Sequence, residues 1–327
     1  MMVNAIARAL GVVAGLGALL LAGPATAQDK YPAKAITVVV TQAPGGANDT
    51  IARIWGQKLS ENIKQPVIID NRAGAGGNIG TVYAAKAPKD GYTLLLTLSS
   101  AHVTNPFLYK NPGFDPIKDF EPIAPVATAG YLLVAGADFP ANNVKELIEL
   151  AKKKPGDISY GSAGNGTLNH LLGEMLKKQA NIDITHVPYK GAAAAVNDVM
   201  GGRIPISFQS VPSAISHVKS GKLKVLAVAN EKRIPSMPDV PTIGETVPGF
   251  GATPWYGLFA PAGTPKDIIV FMQRENEKVL ADKGVQEKLA VQGTEPYNLT
   301  TEQFTAMVKA ELPRWQKIVK ESGATVD

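Results

Sequence analysis

Short β-branched runs alternate with stretches of helical spacing along most of this 327-residue chain. Residues 36–41, bounded by Pro32 and Pro44, read as a buried strand, and a helix is expected over 49–61. Residues 67–70 give a second strand, and a glycine-rich loop from Asn71 to Gly80 leads into a helix at 81–86. The Asp90-Gly91 turn opens a strand at 92–98. Residues 99–125 are rich in Pro, Asn and Asp and read as a long irregular passage, a ligand rim or lobe connector. From 131 to 229 the alternation is regular. Strands are expected at 131–135, 157–160, 184–187, 204–208 and 223–229, and helices at 144–153, 168–176, 192–200 and 213–219. Short βα loops of this kind imply a parallel, doubly wound sheet. Asn143 with Glu146 should cap the helix at 144–153.

Residues 233–265 are again loop-rich, with room for one strand at 256–259, and offer a place for the chain to cross back. Thr264-Pro265 reads as a cap followed by Pro at the first helical position, opening a helix that runs toward Leu280. A short helix at 285–291 follows, then a C-terminal helix with a Thr300–Gln303 capping box, which Pro313 should kink or break near Leu312. The pattern gives two α/β lobes: residues 28–127, then 128–235, then 236–327 returning to the first lobe with the C-terminal helices.

The first 27 residues read differently. Arg8 precedes an apolar run at 10–21, and Ala25-Thr26-Ala27 is a small-x-small cleavage site, so a signal peptide cut after Ala27 is expected. The run is shorter than the roughly 20 residues a bilayer span needs. There is no Cys, so no disulfide or lipid-modified Cys is available, and export to the periplasm as a free protein fits. The formal charge of +5 is mild and scattered; the one basic run, Lys152-Lys153-Lys154, sits at a helix C-terminus where cations are favoured. Nucleic-acid binding, which needs a clustered basic face, is not expected. A mild positive excess assists capture of anions.

Two stretches repeat one design. In the first, Val38-Val39-Val40 runs into Ala43-Pro44-Gly45-Gly46 and a helix opened by Asn48-Asp49-Thr50. In the second, Tyr160-Gly161 runs into Ser162-Ala163-Gly164-Asn165-Gly166 and a helix beginning near Thr167-Leu168. Small residues let a ligand approach the backbone, and first-turn N–H groups favour an anion. Spacing alone leaves open whether these are sites or ordinary βα turns. Asp49 is likewise open between an N-terminal cap and a contact to a ligand amine or hydroxyl.

Other chemistry fails on spacing. Gly74 and Gly76 begin G-x-G-x-x-G, but the last position is Ile79. A nucleophile elbow at Ser162 needs Gly where Tyr160 stands, and His170 lies on the following helix without an evident acidic partner, as a structural or ligand-facing residue. Gly166 is followed by Thr167 without the Lys of a phosphate loop. His102, His170, His186 and His217 have no metal-ligand spacing, so no metal or cofactor is expected.

Taken in order, Tyr31-Pro32-x-Lys34-x-Ile36, Pro44-Gly45-Gly46 with Asp49 and Ala52-Arg53, Asn71-Arg72 with Gly74-Ala75-Gly76-Gly77-Asn78-Ile79-Gly80, and Asp90-Gly91-Tyr92-Thr93-Leu94 form a recognisable series. It continues through Tyr160 to Gly164 with Gly166 and His170, Val187 to Gly191, Pro238-x-Val240-Pro241-Thr242 and Ala260 to Pro265. In these motifs the chain resembles the tripartite tricarboxylate transporter substrate-binding proteins, the Bug family of periplasmic solute receptors. The resemblance covers nearly all of the chain after the leader. It implies a two-lobed periplasmic-binding-protein (Venus-flytrap) fold, each lobe a doubly wound, mostly parallel sheet with helices on both faces.

It also implies a non-enzymatic, monomeric receptor that holds a small organic carboxylate between its lobes and delivers it to membrane transporter subunits or a sensor. The ligand-binding residues it implies are Pro44, Gly45, Gly46 and Asp49 in one lobe, and Ser162, Ala163, Gly164 and Gly166, with Thr167 and His170, in the other. The chain departs from the family at Thr41-Gln42, where Pro followed by an aromatic residue is usual. Gln42 in its place offers an amide to the ligand, which suggests a hydroxylated or aminated carboxylate rather than an aromatic acid. A secreted hydrolase using Ser162, or a structural protein with an unused cleft, are the alternatives.

Overall fold

The computed structural model describes residues 31–324 and 326. The leader and its cleavage after Ala27 lie outside the described residues. Two sheets organise the rest, one per lobe, which makes the protein a two-lobed α/β fold.

The first sheet starts with β1 (Ile36–Val40), followed by α1 (Ala47–Ile63), β2 (Val67–Asn71), α2 (Asn78–Ala85) and β3 (Thr93–Leu98). β1 lies between β2 and β3, parallel to both. Ile36, Val38, Val39 and Val40 are buried, as their apolar run requires, and Thr37 is partly so. Past β3 come a π-turn (Ser100–Thr104) and the short α3 (Asn105–Leu108), then β4 (Phe120–Ala129). Residues 120–125 fall in the stretch whose Pro, Asn and Asp content reads as irregular, and Pro122 and Pro125 cannot donate to a ladder. The strand forms all the same. Its pairing to β10 (Trp255–Pro261) shifts register twice, and the Pro125 carbonyl accepts a hydrogen bond from Asn276. β10 runs antiparallel to β3 and β4, and the brief β11 (Thr294–Pro296) is antiparallel to β4, giving the order β11-β4-β10-β3-β1-β2.

The second lobe contains β5 (Tyr131–Gly136), α4 (Val144–Lys153), β6 (Ser159–Ser162), α5 (Leu168–Ala180), β7 (Thr185–Pro188), α6 (Ala192–Met200), β8 (Ile206–Ser210), α7 (Val211–Lys219) and β9 (Leu223–Val228), in the order β7-β6-β8-β5-β9. β6 is parallel to β7 and β8, but β5 is antiparallel to β8 and β9. Most strands of each sheet thus run in one direction, as expected, with β10 and β11 reversed in the first sheet and β5 in the second. The reason is that β5 and β10 are the strands the chain enters on crossing between lobes, and each is laid down without a βα crossover before it.

The crossings are Gly130 and the passage before Trp255. A Cβ at Gly130 would lie 2.7 Å from side-chain methyls of both Ile234 and Val211, so any larger residue must push them aside. Asn230 fastens the spot: its Oδ1 accepts from the Tyr131 amide at 2.7 Å and its Nδ2 donates to the Ala129 carbonyl at 3.0 Å.

Helices close the core. The Asn143–Glu146 cap and the Thr300–Gln303 capping box form as expected. Thr264 does not cap the next helix; its hydroxyl bonds the Pro261 carbonyl, and Pro265 stands before α8 (Lys266–Ala281), which precedes α9 (Lys283–Val291). Nor does Pro313 break the last helix, α10 (Thr301–Ser322), which is continuous. Phe304, Val308, Trp315 and Val319 bury its inner face on both sides of the proline. Pro313 and Lys309 are exposed, so water can reach the carbonyl the proline leaves unpaired.

Candidate functional site

The first of the two repeated loops joins β1 to α1. Gly45 has φ +81°, a left-handed turn that glycine makes without strain. The Asp49 carboxylate, 3% exposed, is the hub: it accepts from the Gly45 amide at 2.9 Å, from Arg53 Nε at 3.0 Å and from Asn71 Nδ2 at 2.9 Å. Burial pushes its pKa up, but these donors, Arg53 first, hold it below the usual Asp range. Gln42 is half-buried, and its Oε1 accepts the Asn48 amide at 3.1 Å, capping α1. Asn71 also donates to the Gln42 carbonyl, and the Asn48 side chain donates to Thr41 and to the Leu96 carbonyl. Pro44 stands exposed at the tip. After these bonds the first-turn amides of Ala47 and Asp49 have no partner among the described residues.

The second loop joins β6 to α5. Ser162, fully buried, has its Oγ 2.6 Å from His186 Nε2; it accepts from the Gly164 amide and lies within bonding distance of the Gly164 carbonyl. That carbonyl also receives the Thr167 hydroxyl at 2.7 Å. The Gly166 amide donates to His170 Nδ1 at 3.1 Å, which fixes that nitrogen as an acceptor. The Ala163 carbonyl accepts from Gly191. His170 stacks on His186 at 3.9 Å between centroids, and Tyr160 also stacks on His186, at 5.0 Å. Burial, reinforced by His170, pulls His186 down to about 4, and burial lowers His170 as well, so both rings are neutral at neutral pH. The amides of Leu168, Asn169 and His170 have no partner among the described residues.

Each group of expected residues is thus brought together within its own loop. The two are linked through the passage after β3. Gly77 packs against Thr41 and Ala101, Asn105 donates to the Gly76 carbonyl and to Asn78, and Leu108 lies against Gly166. Sequence reasoning missed His186, Asn48 and Asn71. Only the parallel β6–β7 register, with Tyr160 opposite His186, makes the first of these a partner of Ser162. A hollow of about 520 Å³ lies elsewhere, between α5 and α10, with Met175, Ile182 and Ile318 among its lining.

Chemically, the loops present polarised N–H groups and no Arg or Lys of their own. Such a surface holds an anion by backbone dipoles. Ser162 with His186 resembles a nucleophile and base only in composition. The hydroxyl is sealed from solvent, and a ring pulled down to about 4 is a weak base.

Residues 51–324 match the family model described as the tripartite tricarboxylate transporter family receptor. The chain is 38% identical to the UPF0065 protein of the tcbD-tcbE intergenic region in Pseudomonas sp., over 95% of this chain and 93% of that one. Among solved structures it is similar to Rpa4515 of R. palustris with adipate, at 34% identity and TM-score 0.77, covering 90% of this chain and 99% of that one. It is also similar to MatC from Rhodopseudomonas palustris with bound malate, at 29% identity and TM-score 0.73, covering 88% and 100%.

Proposed function

The chain belongs to the tripartite tricarboxylate transporter family of receptors, and we propose on that footing that it captures a small carboxylate between its lobes through the amides that open α1 and α5. The observation that carries this reading is the division of labour in the two loops. Asp49, Gln42 and Asn71 in one, and Ser162, Thr167, His170 and His186 in the other, spend their polar groups on the protein's own backbone and on each other. The amides of Ala47, Asp49, Leu168, Asn169 and His170 are left for a ligand. The residues nearest the anion are then Gln42, Pro44, Gly45, Gly46 and Asp49 on one side and Ser162, Ala163, Gly164, Gly166, Thr167 and His170 on the other. Adipate and malate on the related receptors support an aliphatic acid.

The receptor works in the periplasm after cleavage behind Ala27 and passes its ligand to a tripartite membrane transporter or a sensor. It is not an enzyme. Gln42 caps α1 with its oxygen, which leaves its NH2 group for a hydroxyl or carboxylate oxygen of the ligand. A thermal-shift panel of mono-, di- and hydroxy-carboxylates, amino acids and aromatic acids tests the reading. A true ligand at a hundredfold excess over its Kd stabilises by about 2.7 kcal/mol. Hits restricted to benzoate-type acids would remove the argument from Gln42. A flat panel would remove the receptor reading, and ester turnover abolished by Ser162→Ala would replace it with a hydrolase.

A further inference from the structure

Beyond the two loops, the sheets share a second device. In the first lobe β1 carries the loop, β3 lies beside it, and β10 runs antiparallel beyond β3, with Tyr256 opposite Leu98 at the end of β3. In the second lobe β6 carries the loop, β8 lies beside it, and β5 runs antiparallel beyond β8, with Tyr131 opposite Ser210 at the end of β8. Each tyrosine therefore stands at the same sheet edge as its loop, two strands along, or roughly 9–10 Å at the usual strand spacing. Both follow directly on a crossing between lobes. Tyr131 comes after Gly130 with its amide fastened by Asn230, and Tyr256 is the second residue of the returning strand.

Their phenols are deep but neither sealed nor paired. Burial pushes Tyr131 up to about 12, and it pushes Tyr256 up as well, with Tyr131 close enough to add to the effect. Among the described residues, the side-chain polar atoms that are both sealed and unpaired are Asn48 Oδ1, His102 Nδ1 and Gln209 Oε1. The two phenol oxygens are not in that set, and neither has a hydrogen-bond partner among the described residues. Other tyrosines of this core do have one. Tyr160 reaches Glu174, Tyr189 reaches Asp198 and Tyr297 reaches Met307. A deep tyrosine hydroxyl ordinarily finds a partner, so an unpaired pair at the hinge marks a place where something else supplies it.

We propose that Tyr131 and Tyr256 form a second grip at the hinge end of the cleft, donating to an acceptor oxygen of the ligand remote from the carboxylate that the loops hold. The proposal rests on the receptor reading and adds to it the feature that selects among carboxylates. Neutral phenols suit this task, because they give a hydrogen bond without bringing a charge that must itself be balanced.

The test compares three acids of one length by calorimetry: adipate, 6-hydroxyhexanoate and hexanoate, with succinate, 4-hydroxybutyrate and butyrate as the shorter series. Wild-type protein is expected to prefer the acids with a second oxygen function over the plain monocarboxylate. The carboxylate and hydroxyl arms show which acceptor the phenols take. Tyr131→Phe and Tyr256→Phe, which remove one oxygen each and leave the ring, should each weaken the preferred acid about tenfold, the worth of one hydrogen bond to a ligand oxygen. Binding of the monocarboxylate should be unchanged, so the preference collapses. Phe variants that keep both wild-type affinity and wild-type preference overturn the grip while leaving the receptor intact. Equal wild-type binding of hexanoate and adipate, and of butyrate and succinate, does the same. Wild-type protein that binds none of the six overturns the grip, and a flat response across the wider carboxylate panel overturns the receptor reading as well.

Discussion

The loops after β1 and β6 have the same backbone design and opposite means of support. The first is pinned by an ionised carboxylate, a guanidinium and two amides: Asp49, Arg53, Asn71 and Gln42. The second is pinned by hydroxyls and two neutral imidazoles: Ser162, Thr167, His170 and His186. A helix N-terminus needs only that its amides be held in place and left unpaired, and any donor–acceptor set that fixes the loop will serve. The supports differ in what disturbs them. A carboxylate fails in strong acid, and a buried neutral imidazole fails when it must take a proton.

The comparison breaks most sharply at Asp49. Asp49→Ala takes one acceptor from each of Arg53, Asn71 and the Gly45 amide and should cost about 3 kcal/mol in urea melts, less than a fully buried pair because Arg53 is half exposed and keeps Asn71 Oδ1. No single substitution in the second loop should match it. Gly164→Val comes next. Its φ of +130° is closed to side chains, and the new Cβ would meet the Tyr189 carbonyl at 3.3 Å, so a loss of about 2 kcal/mol is expected together with the loss of carboxylate binding in calorimetry.

Acid sharpens the contrast. His186 titrates lower in the folded protein than its ordinary 6.5, so its contribution is complete above pH 6.5 and fades as pH falls toward about 4. Asp49 is lowered too, so its contribution is kept down to the ordinary Asp value and lost only below it. For His186 alone, melting curves from pH 7 to 4.5 should therefore fall by up to about 2 kcal/mol, discounted for partial exposure, and His186→Gln should remove that part of the fall. His102, buried and also pulled down to about 4, accounts for another part. Asp49→Asn should leave the same pH range unchanged; a flatter curve in that variant would end the distinction. The smallest effect is Gly45→Ala. A Cβ there meets nothing within 4 Å, so only the left-handed backbone is penalised, by about 1 kcal/mol in urea melts.

The first strand–loop–helix unit was legible because β1 is an apolar run; β6, Ser159-Tyr160-Gly161-Ser162, is not one, and the second unit was legible from its small-residue loop and the helical spacing after it. The caps at Asn143 and Thr300 were legible for the same local reason. What escaped depends on pairing across the fold. β4 carries two prolines, and only its bulged pairing with β10 and the bond from Asn276 show how they are accommodated. Pro313 reads as a breaker until its neighbours prove to be packed on one side and wet on the other. His186 lies 24 residues from Ser162, and nothing local joins them. Gln42 reads as a ligand group, and its oxygen turns out to serve the helix.

Asn230 fastens the pivot point between the lobes with a single side chain. That side chain, in the passage that leaves β9, holds the residues before and after Gly130, so the lobes cannot part at this point without breaking both bonds. Such a fastening governs how long a cargo stays more than how tightly it is held. Asn230→Ala is therefore expected to quicken ligand release in stopped-flow traces while the contacts at either loop stand, and an unchanged release rate would assign the pivot to the rest of the strand pair.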